Sequence, residues 1–160
     1  MPDPFRVLFI CTANACRSQM AEALLRHMDP ARFHAASAGA HPVGFIHPLA
    51  IDTMNALGVS TAGQYSKSWS VYENEPVDLV ITLCDAAAAE PCPRWGGPAV
   101  TVHWPTDDPV AQPGADADRR DFALQTAHRL RDRIRRLIEL DVSALPRHEL
   151  TRRLDAIGLC

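Results

Sequence analysis

Residues 7–18, VLFICTANACRS, place an apolar run, a short loop and the start of a helix in direct succession. The run from Phe5 to Ile10 is typical of a buried strand because it is short and rich in aliphatic and aromatic residues. From Ser18 onward the apolar residues recur at helical spacing until Pro30 ends the pattern. The stretch therefore predicts a strand, a loop and a helix, the unit from which folds of alternating strands and helices are built.

The rest of the chain continues this alternation. Further strands are predicted at 34–38, 77–83 and 100–104, and further helices at 47–57, 122–140 and 146–157. The stretch from Asp107 to Asp118 contains two prolines, a glycine and four aspartates and predicts a loop. We therefore expect an α/β fold: one three-layer domain over residues 1–160, with a four-stranded parallel sheet and helices on both faces.

The composition excludes several classes of protein. No run approaches the ~18 apolar residues of a membrane span, and the first residues lack the pattern of a secretory signal. The net charge of −3 argues against a nucleic-acid binder that depends on overall charge. Ten arginines against seven acidic residues follow residue 117, which we interpret as an exposed helix face. We expect a cytoplasmic protein with neither nucleic acid nor membrane as partner.

The five cysteines point the same way. Their odd number and the absence of an export signal favour a compartment in which thiols stay reduced. No Cys-x2-Cys pair is present, so a structural zinc site is not expected, and neither a metal nor a cofactor is predicted. Cys160, the last residue, is interpreted as a free thiol without a role.

The loop Cys11–Arg17 has the pattern Cys-x5-Arg and carries the strongest functional signal. Successive backbone N–H groups in such a loop form an anion-binding nest, and the following helix directs its positive end at it. Arg17 adds a planar fork that matches a tetrahedral oxyanion. The same field favours the thiolate of Cys11, which predicts a nucleophile at the floor of an anion site. The side chain of Cys16 is interpreted as a small buried apolar group. Its backbone belongs to the predicted anion-binding loop, together with the backbone of Thr12, Ala13, Asn14 and Ala15.

Other candidates follow the predicted strands, whose carboxyl ends share one edge of the sheet. Cys84 comes directly after the strand at 77–83, and Asp108 follows the strand at 100–104. Asp108, fixed by the proline after it, is the candidate general acid. Cys92 lies eight residues beyond Cys84. The alanines between the two cysteines favour a helix, and the prolines beside Cys92 end it. The alternative interpretation of the Asp-Asp-Pro segment at 107–109 is a solvated turn. The alternative for Cys84 and Cys92 is two unrelated free thiols. His41 and His47, which flank a loop near the site, are interpreted as solvated or satisfied.

With these motifs the chain resembles the thioredoxin-coupled arsenate reductases, which share the low-molecular-weight protein-tyrosine-phosphatase fold. The matching pieces are VLFICTANACRSQMAEALLR at 7–26, SAG at 37–39, VDLVITLCD at 77–85 and HWPTDDP at 103–109. The Cys-x5-Arg loop and the Asp-Pro pair are common to both branches of the family. The two later cysteines and the His-Trp segment point to the reductases.

The resemblance implies a mechanism and a role in arsenic detoxification. Arsenate binds in the 11–17 loop, Cys11 attacks arsenic, and Asp108 protonates the departing oxygen. Cys84 then attacks Cys11, arsenite leaves, and Cys92 moves the disulfide to Cys84–Cys92, which thioredoxin reduces. Ser18 matches a position whose hydroxyl helps to hold the thiolate.

One position departs from the family pattern. Some members bind potassium beside the loop, and Asn14, Glu22 and Ser37 match three of the side chains that do so. Lys67 replaces the expected acidic residue. Our hypothesis is that its ammonium takes the place of the cation.

Two other functions fit the same loop. A low-molecular-weight protein-tyrosine phosphatase would hydrolyse phosphate monoesters through a Cys11 phospho-enzyme, but such enzymes carry aromatic residues around the Asp-Pro, and Val-Ala-Gln-Pro-Gly stands here. A non-catalytic anion sensor would use the cradle without needing Cys84 and Cys92.

Overall fold

The computed structural model describes residues 3–160 and contains a parallel sheet with helices packed on it. The strands are β1 (Phe5–Cys11), β2 (Phe33–Gly39), β3 (Leu79–Thr82) and β4 (Val100–His103). The helices are α1 (Arg17–Met28), α2 (Pro48–Ala56), α3 (Asp85–Ala89), α4 (Asp116–Ile138) and α5 (Arg147–Ile157). Two short 3-10 turns lie at Trp69–Tyr72 and Pro109–Ala111. The predicted α/β fold with four parallel strands is confirmed.

The strand order β2-β1-β3-β4 makes the middle of the sheet the place where the chain changes direction. The chain moves outward from β1 to β2 on one side and returns to β3 and β4 on the other. Ligands of open α/β sheets bind at the carboxyl ends of the strands flanking such a switch point. Cys11 ends β1, and Cys84 follows β3 by two residues, so both lie at this edge.

Both faces of the sheet are covered. Side chains alternate between the two faces of a strand, yet Val7, Leu8, Phe9 and Ile10 are all at most 1% exposed. α1, α2 and α4 pack against one another, while α5 packs along β4, where Trp104 donates from Nε1 to the carbonyl of Leu154 at 3.0 Å. No helix within residues 3–160 is both long enough and apolar enough to cross a membrane.

The structure corrects the predicted loop at Asp107–Asp118. Within it, a 3-10 turn covers Pro109–Ala111, and α4 already begins at Asp116, six residues before the predicted start at Phe122. The Asp118 carboxylate accepts the Ala115 N–H at 3.0 Å, and the acidic side chains of the first turn face the positive end of the helix. Capping therefore extends the helix beyond its apolar stripe, on which the prediction rested.

Candidate active site

The loop between β1 and α1 is held from outside through its carbonyl groups. The segment 40–47 donates backbone N–H groups to the carbonyls of Cys11, Thr12, Ala13 and Ala15 over 2.8–3.3 Å. Among residues 3–160, the N–H groups of residues 13–16 find no protein acceptor. An oxyanion bound in the loop would supply several acceptors at once, as the predicted nest requires.

Two residues make this loop conformation possible. Asn14 has a φ of 49°, in the left-handed region that asparagine tolerates better than most residues. Gly39, at the end of β2, lies so close to the loop that a Cβ there would come within 2.6 Å of the Thr12 carbonyl oxygen. The glycine of the SAG motif therefore allows the end of β2 to pack closely against the loop.

A buried chain of polar groups leads to Cys11. Ser18 Oγ lies 2.8 Å from Cys11 Sγ and accepts a hydrogen bond from Asn14 Nδ2 at 2.8 Å, so its own proton is free to point at the sulfur. Asn14 Nδ2 also donates to Ser37 Oγ at 3.0 Å, and Ser37 donates to Glu22 at 2.7 Å. The Ser18 hydroxyl therefore stands where the resemblance places it, against the Cys11 sulfur.

Lys67 closes the far end of this chain. It is 8% exposed, its Nζ lies 3.9 Å from Glu22 Oε1, and it donates to the Tyr65 carbonyl at 3.1 Å. Burial lowers the pKa of Lys67, and the Glu22 charge opposes that shift. The amino group of Lys67 therefore occupies the space beside Glu22, and the oxygens of Asn14, Ser37 and Glu22 are engaged with protein donors. As placed, these residues do not fit a resident potassium ion, and the replacement of that cation by Lys67 stays a hypothesis.

Arg17 and Asp108 share the cavity above Cys11. Arg17 is anchored by a bond to the Thr106 carbonyl at 3.2 Å, and its Nη2 lies 3.6 Å from Asp108 Oδ2. Asp108 accepts the Val110 N–H through its other oxygen at 3.0 Å, which fixes the carboxyl orientation. Asp107 is exposed and does not line this cavity, so the position of Asp108 suits the acid role better.

The other cysteines differ sharply in their surroundings. Cys84 Sγ lies 3.1 Å from Thr12 Oγ1 and caps α3 by accepting the Ala87 N–H at 3.4 Å. Cys92 is exposed beyond that helix. Burial raises the pKa of the Cys16 thiol to about 12, with a further rise from the Asp108 and Cys11 charges, which suits its interpretation as a small buried apolar group. Cys160 is exposed and touches Arg136 at 2.8 Å, away from the loop.

The comparisons with known proteins agree with this geometry. The model of the family described as low molecular weight phosphotyrosine protein phosphatase matches residues 6–145. The chain belongs to this family. An arsenate reductase of Bacillus cereus is 34% identical over 140 residues, covering 88% of this chain and 98% of the relative. The resemblance to the arsenate reductases predicted from the sequence is confirmed.

Solved structures of family members point the same way. An arsenate reductase in the phosphate binding state superposes with a TM-score of 0.70 at 27% identity, over 84% of this chain and 96% of the other. The thioredoxin-dependent arsenate reductase of Corynebacterium glutamicum gives a TM-score of 0.66 at 26% identity. That match covers 89% of this chain and 64% of the other.

Two parts of this family member's site were not found from its sequence. The Thr12 hydroxyl, counted only as part of the loop, lies between the loop and Cys84. Val43, Phe45 and His47 line the cavity over Cys11, although no role was predicted for them. The sequence does show apolar residues in this turn. It does not show that the turn lies over a loop some thirty residues away in the chain.

Proposed function

We propose that this chain reduces arsenate to arsenite through the thiols of Cys11, Cys84 and Cys92. The observation that carries the proposal is the 3.1 Å contact between Thr12 Oγ1 and Cys84 Sγ. It brings a second sulfur against the loop that holds Cys11, and a hydrolytic phosphatase has no use for that sulfur. Arsenate reductases among its relatives support the same substrate.

In the first step, arsenate oxygens occupy the N–H groups of residues 13–16 and the Arg17 fork. The Cys11 thiolate, supported by Ser18, attacks arsenic and forms a sulfur–arsenic bond. Asp108 delivers a proton to the oxygen that departs as water.

In the second step, the Cys84 thiolate attacks Cys11 Sγ. The electron pair of the sulfur–arsenic bond passes to arsenic, which leaves as arsenite, while a Cys11–Cys84 disulfide forms. The Thr12 hydroxyl and the Ala87 N–H both lie within hydrogen-bonding reach of Cys84 Sγ and hold it beside the loop.

In the third step, Cys92 attacks Cys84 and releases Cys11 for a new cycle. The resulting Cys84–Cys92 disulfide is reduced by thioredoxin, a choice supported by the exposure of Cys92 and by the thioredoxin dependence of the Corynebacterium glutamicum relative. A cycle that starts from three free thiols needs a reducing compartment, which is why we assign the protein to the cytoplasm and to arsenic detoxification.

A second activity is supported by the same cavity. Cys11, Arg17 and Asp108 meet above one anion site, the set needed to hydrolyse phosphate monoesters through a Cys11 phospho-enzyme. Slow phosphatase activity is therefore expected beside reduction.

Three cysteine variants test the proposal. Cys84→Ser should abolish arsenate turnover and spare slow hydrolysis of para-nitrophenyl phosphate, whereas Cys11→Ser should lose both. Cys160→Ser, a matched change of an exposed thiol, should behave as wild type. Normal arsenate reduction by Cys84→Ser would show the relay to be wrong.

A further inference from the structure

The cavity above Cys11 has an apolar mouth. Val43, Phe45 and Val110 are 49%, 55% and 37% exposed, and all three line the same cavity as Cys11 and Arg17. Arsenate itself is surrounded by oxygens and gains nothing from contact with such side chains. Exposed apolar residues that converge on a polar site call for a ligand with an apolar part.

The mouth is held rigidly against the anion loop. Val43 N donates to the Ala13 carbonyl at 3.2 Å, and His47 N donates to the Ala15 carbonyl at 2.9 Å. Ser66 braces the turn between them by accepting the Gly44 N–H at 3.1 Å and donating to Ala13 at 3.2 Å. The backbone on both sides of Phe45 is therefore fixed beside the loop.

A second cavity adjoins the mouth. His47 and Val110 line both cavities, and the second one is also lined by Leu49, Asp52 and Arg119. A substituent carried by the anion thus has an apolar wall to lie against and room beyond it.

We propose, resting on the arsenate reductase function above, that the site also accepts arsonates, R–AsO3, in which an aryl group R lies against Val43, Phe45 and Val110. Two oxygens would take the loop N–H groups and Arg17, the third would face Asp108 as the leaving oxygen, and the arsenic–carbon bond would lean toward the apolar side of the mouth. Contact of an aryl ring with Phe45 adds apolar burial that arsenate cannot provide.

The chemistry balances as it does for arsenate. Cys11 displaces one oxygen of R–AsO(OH)2, which leaves as water with the proton from Asp108, and a sulfur–arsenic bond forms. Cys84 then attacks Cys11 Sγ, and the electron pair of the sulfur–arsenic bond passes to arsenic. Two thiols become one disulfide, arsenic(V) becomes arsenic(III), and R–As(OH)2 leaves with its arsenic–carbon bond intact.

Single-turnover oxidation of the thiols tests this inference without any reductant. Wild type, Phe45→Ala and Val43→Ala are mixed with excess arsenate or excess phenylarsonate, and the loss of free thiols is followed in time. Both rim variants should lower the ratio of the phenylarsonate rate constant to the arsenate rate constant, by about tenfold for Phe45→Ala. Val71→Ala, matched in exposure at 51% but remote from this cavity, should change neither.

The other outcomes separate the two proposals. Thiol oxidation by arsenate but not by phenylarsonate would overturn the inference and leave the reductase function standing. Oxidation by neither anion would overturn the reductase function itself. If both rim variants lose the same fraction of the rate constant with arsenate and with phenylarsonate, the mouth does not select an aryl group. The same conclusion holds if single turnovers are unchanged and only thioredoxin-driven turnover becomes slower.

Discussion

At the scale of single residues, the direction of the hydrogen bonds around Cys11 is set by an amide. Asn14 Oδ1 accepts from the Lys67 N–H and from Gln19, so Asn14 Nδ2 must point at Ser18 and Ser37. The Ser18 proton is then free to be donated to Cys11. The proposed nucleophile is thus held by side chains that do not line the cavity above it.

Lys67 offers a test of how that network is balanced. If its ammonium replaces a bound cation beside Glu22, wild-type turnover should be equal in sodium and potassium buffers of equal ionic strength. Lys67→Asp, which restores the acidic residue expected from the family, should become potassium-dependent. Strong activation of the wild type by potassium would refute the idea.

Asp108 is expected to act as the general acid. Asp108→Asn keeps the shape and the acceptor for Val110 but cannot deliver a proton, so the single-turnover rate should fall on the order of 10²–10⁴-fold. Asp107→Asn is the matched control because that side chain is exposed outside the Cys11 cavity. A near-normal rate for Asp108→Asn would move the acid role elsewhere.

Cys16 provides a pH test. Because burial raises the pKa of Cys16 to about 12 from an ordinary 9.0, the folded protein should keep this thiol protonated and unlabelled by iodoacetamide at pH 9. Between pH 9 and 12 the unfolded chain binds fewer protons at this group than the folded chain does. Its contribution to stability is therefore complete below pH 9 and lost as the pH rises through 12. Labelling of Cys16 in the folded state at pH 8, read by mass spectrometry, would contradict the assignment.

At the scale of elements, the proposed Cys84–Cys92 disulfide requires α3, which lies between the two cysteines, to move. Histidine–carboxylate hydrogen bonds hold it at both ends in this state: His103 Nε2 lies 2.8 Å from Asp85, and His41 Nε2 lies 2.8 Å from Glu90. A helix rises 1.5 Å per residue, whereas a disulfide requires Cα atoms within about 7 Å. Bridging Cys84 and Cys92 across this segment therefore favours unwinding.

Hydrogen exchange can detect that change. On oxidation by arsenate, amide protection should fall across residues 85–92 and persist in α1. Cys92→Ser, treated identically, should keep the protection of α3. Unchanged exchange in oxidised wild type would show that the helix stays folded.

The elements also show what the sequence could and could not predict. The strands, and α1 with its loop, follow from apolar periodicity and from Pro30, which act locally. The start of α4 at Asp116 depends on capping by Asp118, and the mouth formed by Val43 and Phe45 depends on backbone bonds to a loop some thirty residues away in sequence. Contacts of that kind leave no periodic signal.

At the scale of the whole molecule, the topology explains why the pieces meet. The switch between β1 and β3 brings Cys11 and Cys84 to one edge, and the loop after β4 brings Asp108 there as well. Residues nearly a hundred positions apart thus share one anion site. The sequence located this edge because parallel strands have their carboxyl ends together, but the Thr12 bridge required the structure.

The most direct test of the central claim is a count of thiols after one turnover of arsenate without reductant, with the bridged pair mapped by mass spectrometry. Wild type should lose two thiols for each arsenite formed and carry a Cys84–Cys92 disulfide, while Cys92→Ser should stop at Cys11–Cys84. Arsenite formed without loss of thiols, or a bridge that excludes Cys84, would contradict the account.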